Sequence, residues 1–158
     1  VANSSGVDSK LISVTPDIVP AAYAAGDVIG TLRTVVGGVG RSSGISELVS
    51  VSIIDKANQK SAIDLYFFDR TVSSIGADNA AFSIADADAA NLLAVISILG
   101  GDYVSIGTDS AIASAPNLGQ FLKSIPDSKD IFMAVVSRGA PTYTSATDLV
   151  IKLGLMQH

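Results

Sequence analysis

The chain contains no cysteine and no tryptophan, and its single histidine, His158, is its last residue. Without thiols there is no disulfide and no thiolate metal site, so stability has to come from packing alone. One terminal histidine cannot supply the usual zinc or copper centre, a histidine-assisted triad, or the clustered ligands of the double-stranded β-helix enzymes. Simple fraying is the expectation for it. Flat indole rings are favoured sugar platforms, so their absence counts against a carbohydrate-binding face. Charge is scarce as well: charged residues make up 16%, below the usual quarter. With 10 basic and 15 acidic residues, a net charge of −5 and no basic block, the chain offers nothing to a phosphate backbone. Direct nucleic-acid binding is not expected. The greasiest stretch, Leu92 to Leu99, falls far short of the roughly 18 apolar residues of a membrane span, so no membrane partner is expected either. The opening VANSSGVDSK has no basic segment followed by an apolar one, so no secretory signal is visible and a cytoplasmic origin is expected.

At 158 residues the chain is long enough to bury a real core in one domain. Residues 1–9 are small and polar and read as a flexible N-terminal arm, leaving 10–158 as a single β-sandwich (jelly-roll) domain. Apolar residues account for 48% and the mean hydropathy is +0.47, high for a soluble monomer. Some apolar surface should therefore be covered by something other than the chain itself, and an oligomer or assembly contact is the natural candidate.

Two runs organise the reading. From Leu48 to Ile54, Val49, Val51 and Ile53 alternate with Ser50 and Ser52; from Ile63 to Phe68, Ile63, Leu65 and Phe67 share one face and Asp64, Tyr66 and Phe68 the other. A period of two marks half-buried strands. The short polar link Lys56–Lys60 predicts that the two form a central hairpin. Further strands are expected at Leu11–Val14, Asp27–Val36, Ala81–Ile84, Ala94–Leu99 (buried), Tyr103–Ile106, Ser110–Ala113, Ile131–Val136 and Leu149–Met156. Gly30 marks a bulge or a close backbone approach. Asp86–Leu93 is the one helix candidate, a turn or two long, with Asp86 as N-cap and Asp88 favoured by the helix dipole. Gly37–Gly44 and Arg70–Asn79 read as loops, Pro116–Asp130 as a crossing loop, and Ser137–Asp148 as the tip of a long hairpin. About 8–10 short strands with one short helix predict an all-β, antiparallel β-sandwich or jelly roll.

Catalysis finds no support. Gly37–Gly44, GGVGRSSG, has Arg41 where a P-loop needs lysine, and a strand follows it instead of a helix. Asp86 and Asp88, with Asp78 and Asn79 nearby, suit capping better than a calcium site or an acid–base pair. Asp55, Asp64 and Asp69 belong to the expected hairpin, where they solvate its ends and outer face. No serine has a nucleophile-elbow context. No catalytic, cofactor-binding or metal residue is assigned, and no cofactor is expected. Tyr66 and Phe68, joined by Phe121 and Tyr143, leave two readings open: a second core layer, or a subunit contact.

Four segments carry a family likeness: AAYAAGDVIG (21–30), SIIDKANQKSAIDLYFFD (52–69), NAAFSIADADAANLLAVISI (79–98) and VVSRGAPTYTSATDLVIKLGLMQ (135–157). In this order, across nearly the whole chain, they resemble tailed-bacteriophage and prophage virion proteins of the capsid decoration (cement) type. The resemblance implies a β-sandwich or jelly roll, a homotrimer, and attachment to the major capsid protein on the outside of an icosahedral head, after synthesis in the bacterial host cytoplasm. It transfers no catalytic residue. The alternatives are another virion component (a head–tail connector, tail or fibre protein) and a carbohydrate-binding sandwich module.

Overall fold

The computed structural model describes residues 7–158. Residues 1–6 of the expected arm lie outside the described residues, and Asp8 and Ser9 stand in the first strand. Twelve strands follow in chain order: β1 (Asp8–Val14), β2 (Ala21–Ala22), β3 (Arg33–Val35), β4 (Ile45–Asp55), β5 (Ile63–Phe68), β6 (Leu92–Ile98), β7 (Tyr103–Ile106), β8 (Ser110–Ala115), β9 (Gln120–Lys123), β10 (Ile131–Ser137), β11 (Thr142–Tyr143) and β12 (Leu149–Gln157). A one-turn helix, α1 (Asp86–Ala89), precedes β6, and a 3-10 turn at Gly100–Asp102 follows it. The protein is an antiparallel β-sandwich, the fold class that the alternating runs predict.

The first sheet has the order β1-β12-β4-β8-β7, with β9 also pairing β4. Its spine is β4. On one side β4 pairs β12; on the other, Ile45–Leu48 pair β9 and Val51–Asp55 pair β8. The first strand closes on the last, with Asp8 opposite Gln157 and Val14 opposite Ile151. The second sheet has the order β3-β10-β5-β6. Between the two lies one apolar core that includes Leu48, Val51, Ile53, Leu65, Phe67, Met133, Ile151 and Leu153, all buried. Burying that inner layer is the main stabilising term, at about 25 cal/mol for each Å² of apolar surface removed from water.

The expected central hairpin does not form. Both of its strands exist, but β4 lies in the first sheet and β5 in the second, so the link crosses between layers. The cause sits at the end of β4. Asp55 is fully buried, and its Oδ1 accepts the Ala57 N–H at 2.9 Å while Oδ2 accepts that of Lys60 at 2.8 Å. Asn58 and Lys60 adopt φ of 52° and 50° to complete this turn. The carboxylate thus organises a crossing instead of solvating a hairpin end. Alternation identifies a strand and its greasy face, but not its partner.

The connection from β10 to β12 corrects the reading in the same way: those strands also belong to different sheets, and the link between them carries β11, which pairs β2. Asp27–Val36 is a strand only at β3, with isolated bridges at Asp27 and Val28. Ala81–Ile84 is reduced to a single bridge from Ala81 to Asp27. The crossing loop at 116–130 contains β9. β6 is half-buried, with Val95 on its exposed side, because its sheet edge leaves one face partly open. At α1 the N-cap position is Ala85, with no side-chain cap, so Asp86 does not fill it.

Candidate interaction surface

The outer face of the second sheet is covered by the chain's own loop. Phe68 is fully buried there with Val28, Ile75 and Ala134, and the partly buried Tyr66, Val72, Phe82 and Ile84 pack around them. The rings of Tyr66 and Phe82 stack with centroids 4.4 Å apart. Residues 70–84 form this roof, and polar bonds pin it. Asp78 Oδ1 accepts the Gly30 N–H at 2.6 Å and the Tyr23 hydroxyl at 2.9 Å. Gly30 has φ +80°, and a Cβ there would stand 2.7 Å from Asp17 N, so the close backbone approach expected at this glycine is real. The Val28 and Asn79 amides exchange bonds with Ala80 and Val28 carbonyls at 2.8 and 2.9 Å. Farther along, Asp88 accepts both the Ser73 hydroxyl (2.5 Å) and its N–H (2.9 Å), tying α1 to the roof. The hydroxyl bond, then the amide bond, hold the Asp88 carboxyl below its ordinary value.

Of the two readings left open for the aromatic set, the second core layer is therefore what Tyr66 and Phe68 form. The other two do not join them. Tyr143 is buried in the main core and Phe121 is exposed on β9. Asp64 pairs with Arg138, whose Nε donates at 2.6 Å, and Asp69 pairs with Arg70 at 2.9 Å.

Among the described residues, nothing forms such a roof over the outer face of the first sheet. Register places Val150, Ile54, Ile112 and Val104 side by side across β12, β4, β8 and β7. This apolar row runs to the edge of the sheet, where Val104 is 67% exposed and Ile106 follows it. A polar row of Ser13, Lys152, Ser52 and Ser114 lies next to it. At the far end, Met156, Glu47 and Phe121 form another partly apolar row, with Phe121 62% exposed. Between these rows the register shifts at Gly154/Leu155, and a shallow groove of about 430 Å³ opens beside Leu11, Val49, Ser50, Gly154 and Met156. Sequence reading missed the apolar row because its members come from four strands. Only the pairing register brings them together.

The remaining candidates have structural work. In Gly37–Gly44 the amides that a phosphate would need already donate within the fold: Gly37 to Asp130 Oδ1 (2.9 Å), Val39 to Lys129 O (3.0 Å) and Ser43 to Ser128 O (3.1 Å). Asn79 sits at φ 58° in the roof, and Asp86 opens α1. His158 is exposed, with its amide bonded to Ile45 O at 3.0 Å. Among the described residues, no three His, Asp or Glu side chains stand close enough to hold a metal ion. No helix among them is long and apolar enough to cross a membrane.

No family model matches the chain, and no curated protein does. Among solved structures, it is similar to a chain of Desmodium yellow mottle tymovirus, at 11% identity over 99% of this chain and 88% of that one, with a TM-score of 0.30. A chain of the heated Israeli acute paralysis virus full particle matches at 11% identity over 96% of this chain and 67% of that one, with a TM-score of 0.24. The VP2 subviral particle of infectious bursal disease virus matches at 10% identity over 96% of this chain and 41% of that one, with a TM-score of 0.28.

Proposed function

We propose that this protein is a non-enzymatic virion component, a decoration protein that binds the major capsid protein on the outside of a bacteriophage head and stabilises it. The observation that carries the reading is the bare apolar row Val150–Ile54–Ile112–Val104, on a chain that roofs its other sheet with its own loop. The row is partly buried at Val150, Ile54 and Ile112 and exposed at Val104, and an unroofed apolar strip on a low-charge chain is a contact surface. The four-segment resemblance supplies the kind of contact: copies of this chain in a homotrimer. Several weak attachments per trimer become one strong one through effective concentration. Binding the assembled shell in preference to its free subunits then stabilises the shell.

Two measurements test this. Light scattering at high protein concentration should give a mass near three times the 16.1 kDa of one chain; a strict monomer would remove the trimer. Purified virions imaged with the protein labelled should carry it evenly over the head. Label confined to the tail or the head–tail joint would favour the connector, tail or fibre alternative.

A further inference from the structure

The end of the sandwich where β4 gives way to its crossing turn buries an incomplete polar cluster. Asp55 is 0% exposed, Tyr143 1% and Tyr103 8%, and neither tyrosine hydroxyl has a hydrogen-bond partner. Such a group costs on the order of 1–3 kcal/mol when left unpaired, so native interiors almost always satisfy it. Tyr23 provides the contrast: its ring lies 5.8 Å from that of Tyr143, yet its hydroxyl is bonded to both Val19 O (3.1 Å) and Asp78.

The fold converges these three side chains from separate elements. On the inner face Asp55 stands opposite Ala111 and Tyr103 opposite Ala113, so only buried alanines of β8 separate their positions. Tyr143 is brought over the same turn by its neighbours. Gln59 Oε1 accepts the Thr142 N–H at 2.9 Å, and Lys56 donates its N–H to Asp148 O at 2.7 Å. Burial, followed by the charge of Asp55, pushes both phenols well above their ordinary value of 10, so both remain proton donors. Each Asp55 oxygen takes one backbone N–H and keeps a free lone pair.

We propose that a single buried water molecule occupies this cluster, accepting the hydroxyls of Tyr103 and Tyr143 and donating to the carboxylate of Asp55. Two phenol donors and one carboxylate acceptor match what one water can take and give, and three partners is the usual number for an internal water. The water joins β4, β7 and β11, and with them the crossing turn, into one rigid end. It is independent of any role on a virion.

Crystallography of the intact protein near 1.5 Å resolution should show a peak at hydrogen-bond distance, about 2.6–3.2 Å, from all three oxygens. In parallel, Tyr103→Phe and Tyr143→Phe should each lower the thermal midpoint by about 2–4 °C, because the water is left a bond short. The two readouts oppose the alternative by sign. A hydroxyl that is truly unpartnered gains from removal, so an unchanged or higher midpoint, or no peak, overturns the proposal. A wild-type midpoint that rises with sodium or potassium at constant ionic strength would make the occupant a cation and overturn it equally.

Discussion

The outer faces of the two sheets start from similar material and end differently. On the second sheet, Phe68 and Tyr66 point outward and residues 70–84 fold over them, so the face becomes a second, smaller core. On the first sheet, the row from Val150 to Val104 points outward and nothing in the described chain folds over it. The difference is not hydrophobicity but the availability of a long connection. The chain after β5 runs from Asp69 to Ala85 before α1 begins, long enough to make a roof. The strands at the bare end, β7 and β8, are joined by a tight turn at Gly107, φ +70°, which leaves nothing to spare. An apolar face without a roof is where another molecule gains most by docking.

The comparison can be broken by substitution. Phe68→Ala on the roofed face should cost about 3–5 kcal/mol, measured by urea unfolding, because it empties a fully buried ring site. Less than 1 kcal/mol would mean that the roof is loose and the second core nominal. Asp78→Ala should cost about 2 kcal/mol, since the Gly30 amide loses its acceptor and the Tyr23 hydroxyl is left with Val19 O alone. Faster hydrogen exchange should then appear first in residues 70–84. Val104→Asp on the bare face should change monomer stability by no more than about 0.5 kcal/mol. Its effect should instead be a loss of self-association in light scattering, and an unaltered oligomer would move the interface elsewhere.

The smallest expected effect sharpens how the roof is held. The native Asp88 carboxyl titrates below the ordinary 3.8, so its bond to Ser73 adds stability that is fully present above that pH. As pH falls through the lowered native value, the contribution disappears. Wild type should therefore exceed Asp88→Asn in urea midpoint at pH 7, and the gap should close by acidification to pH values below 3.8. A gap that persists in acid would show that the substitution acts through something other than charge.

Alternation and turn chemistry were enough to read the fold class and most strands. Leu11–Val14, Tyr103–Ile106, Ser110–Ala113 and Leu149–Met156 all lie within observed strands, and Gly30 marks the close approach. Partners were not readable, because a side-chain period is the same whether the next strand lies beside or across the core. That is why Leu48–Ile54 and Ile63–Phe68 read as a hairpin, and why Asp55 read as a solvated end instead of a buried organiser. The bare row stayed hidden for the same reason: Val104 and Val150 are 46 positions apart and meet only through the strands between them. The roof was invisible too, since RTVSSIGADN looks like any polar loop until Asp78 is seen to fasten it.

The pairing of the first strand with the last also governs the order of assembly on the ribosome. β1 is made early, and among the described residues its only sheet partner is β12, which emerges some 140 residues later. Until then seven strand residues wait with both edges open, and β4 waits with one, so a nascent or truncated chain exposes templates for wrong pairing. Emergence of β12 pairs one edge of β1 and the open edge of β4 at once, and only then is this sheet a finished object.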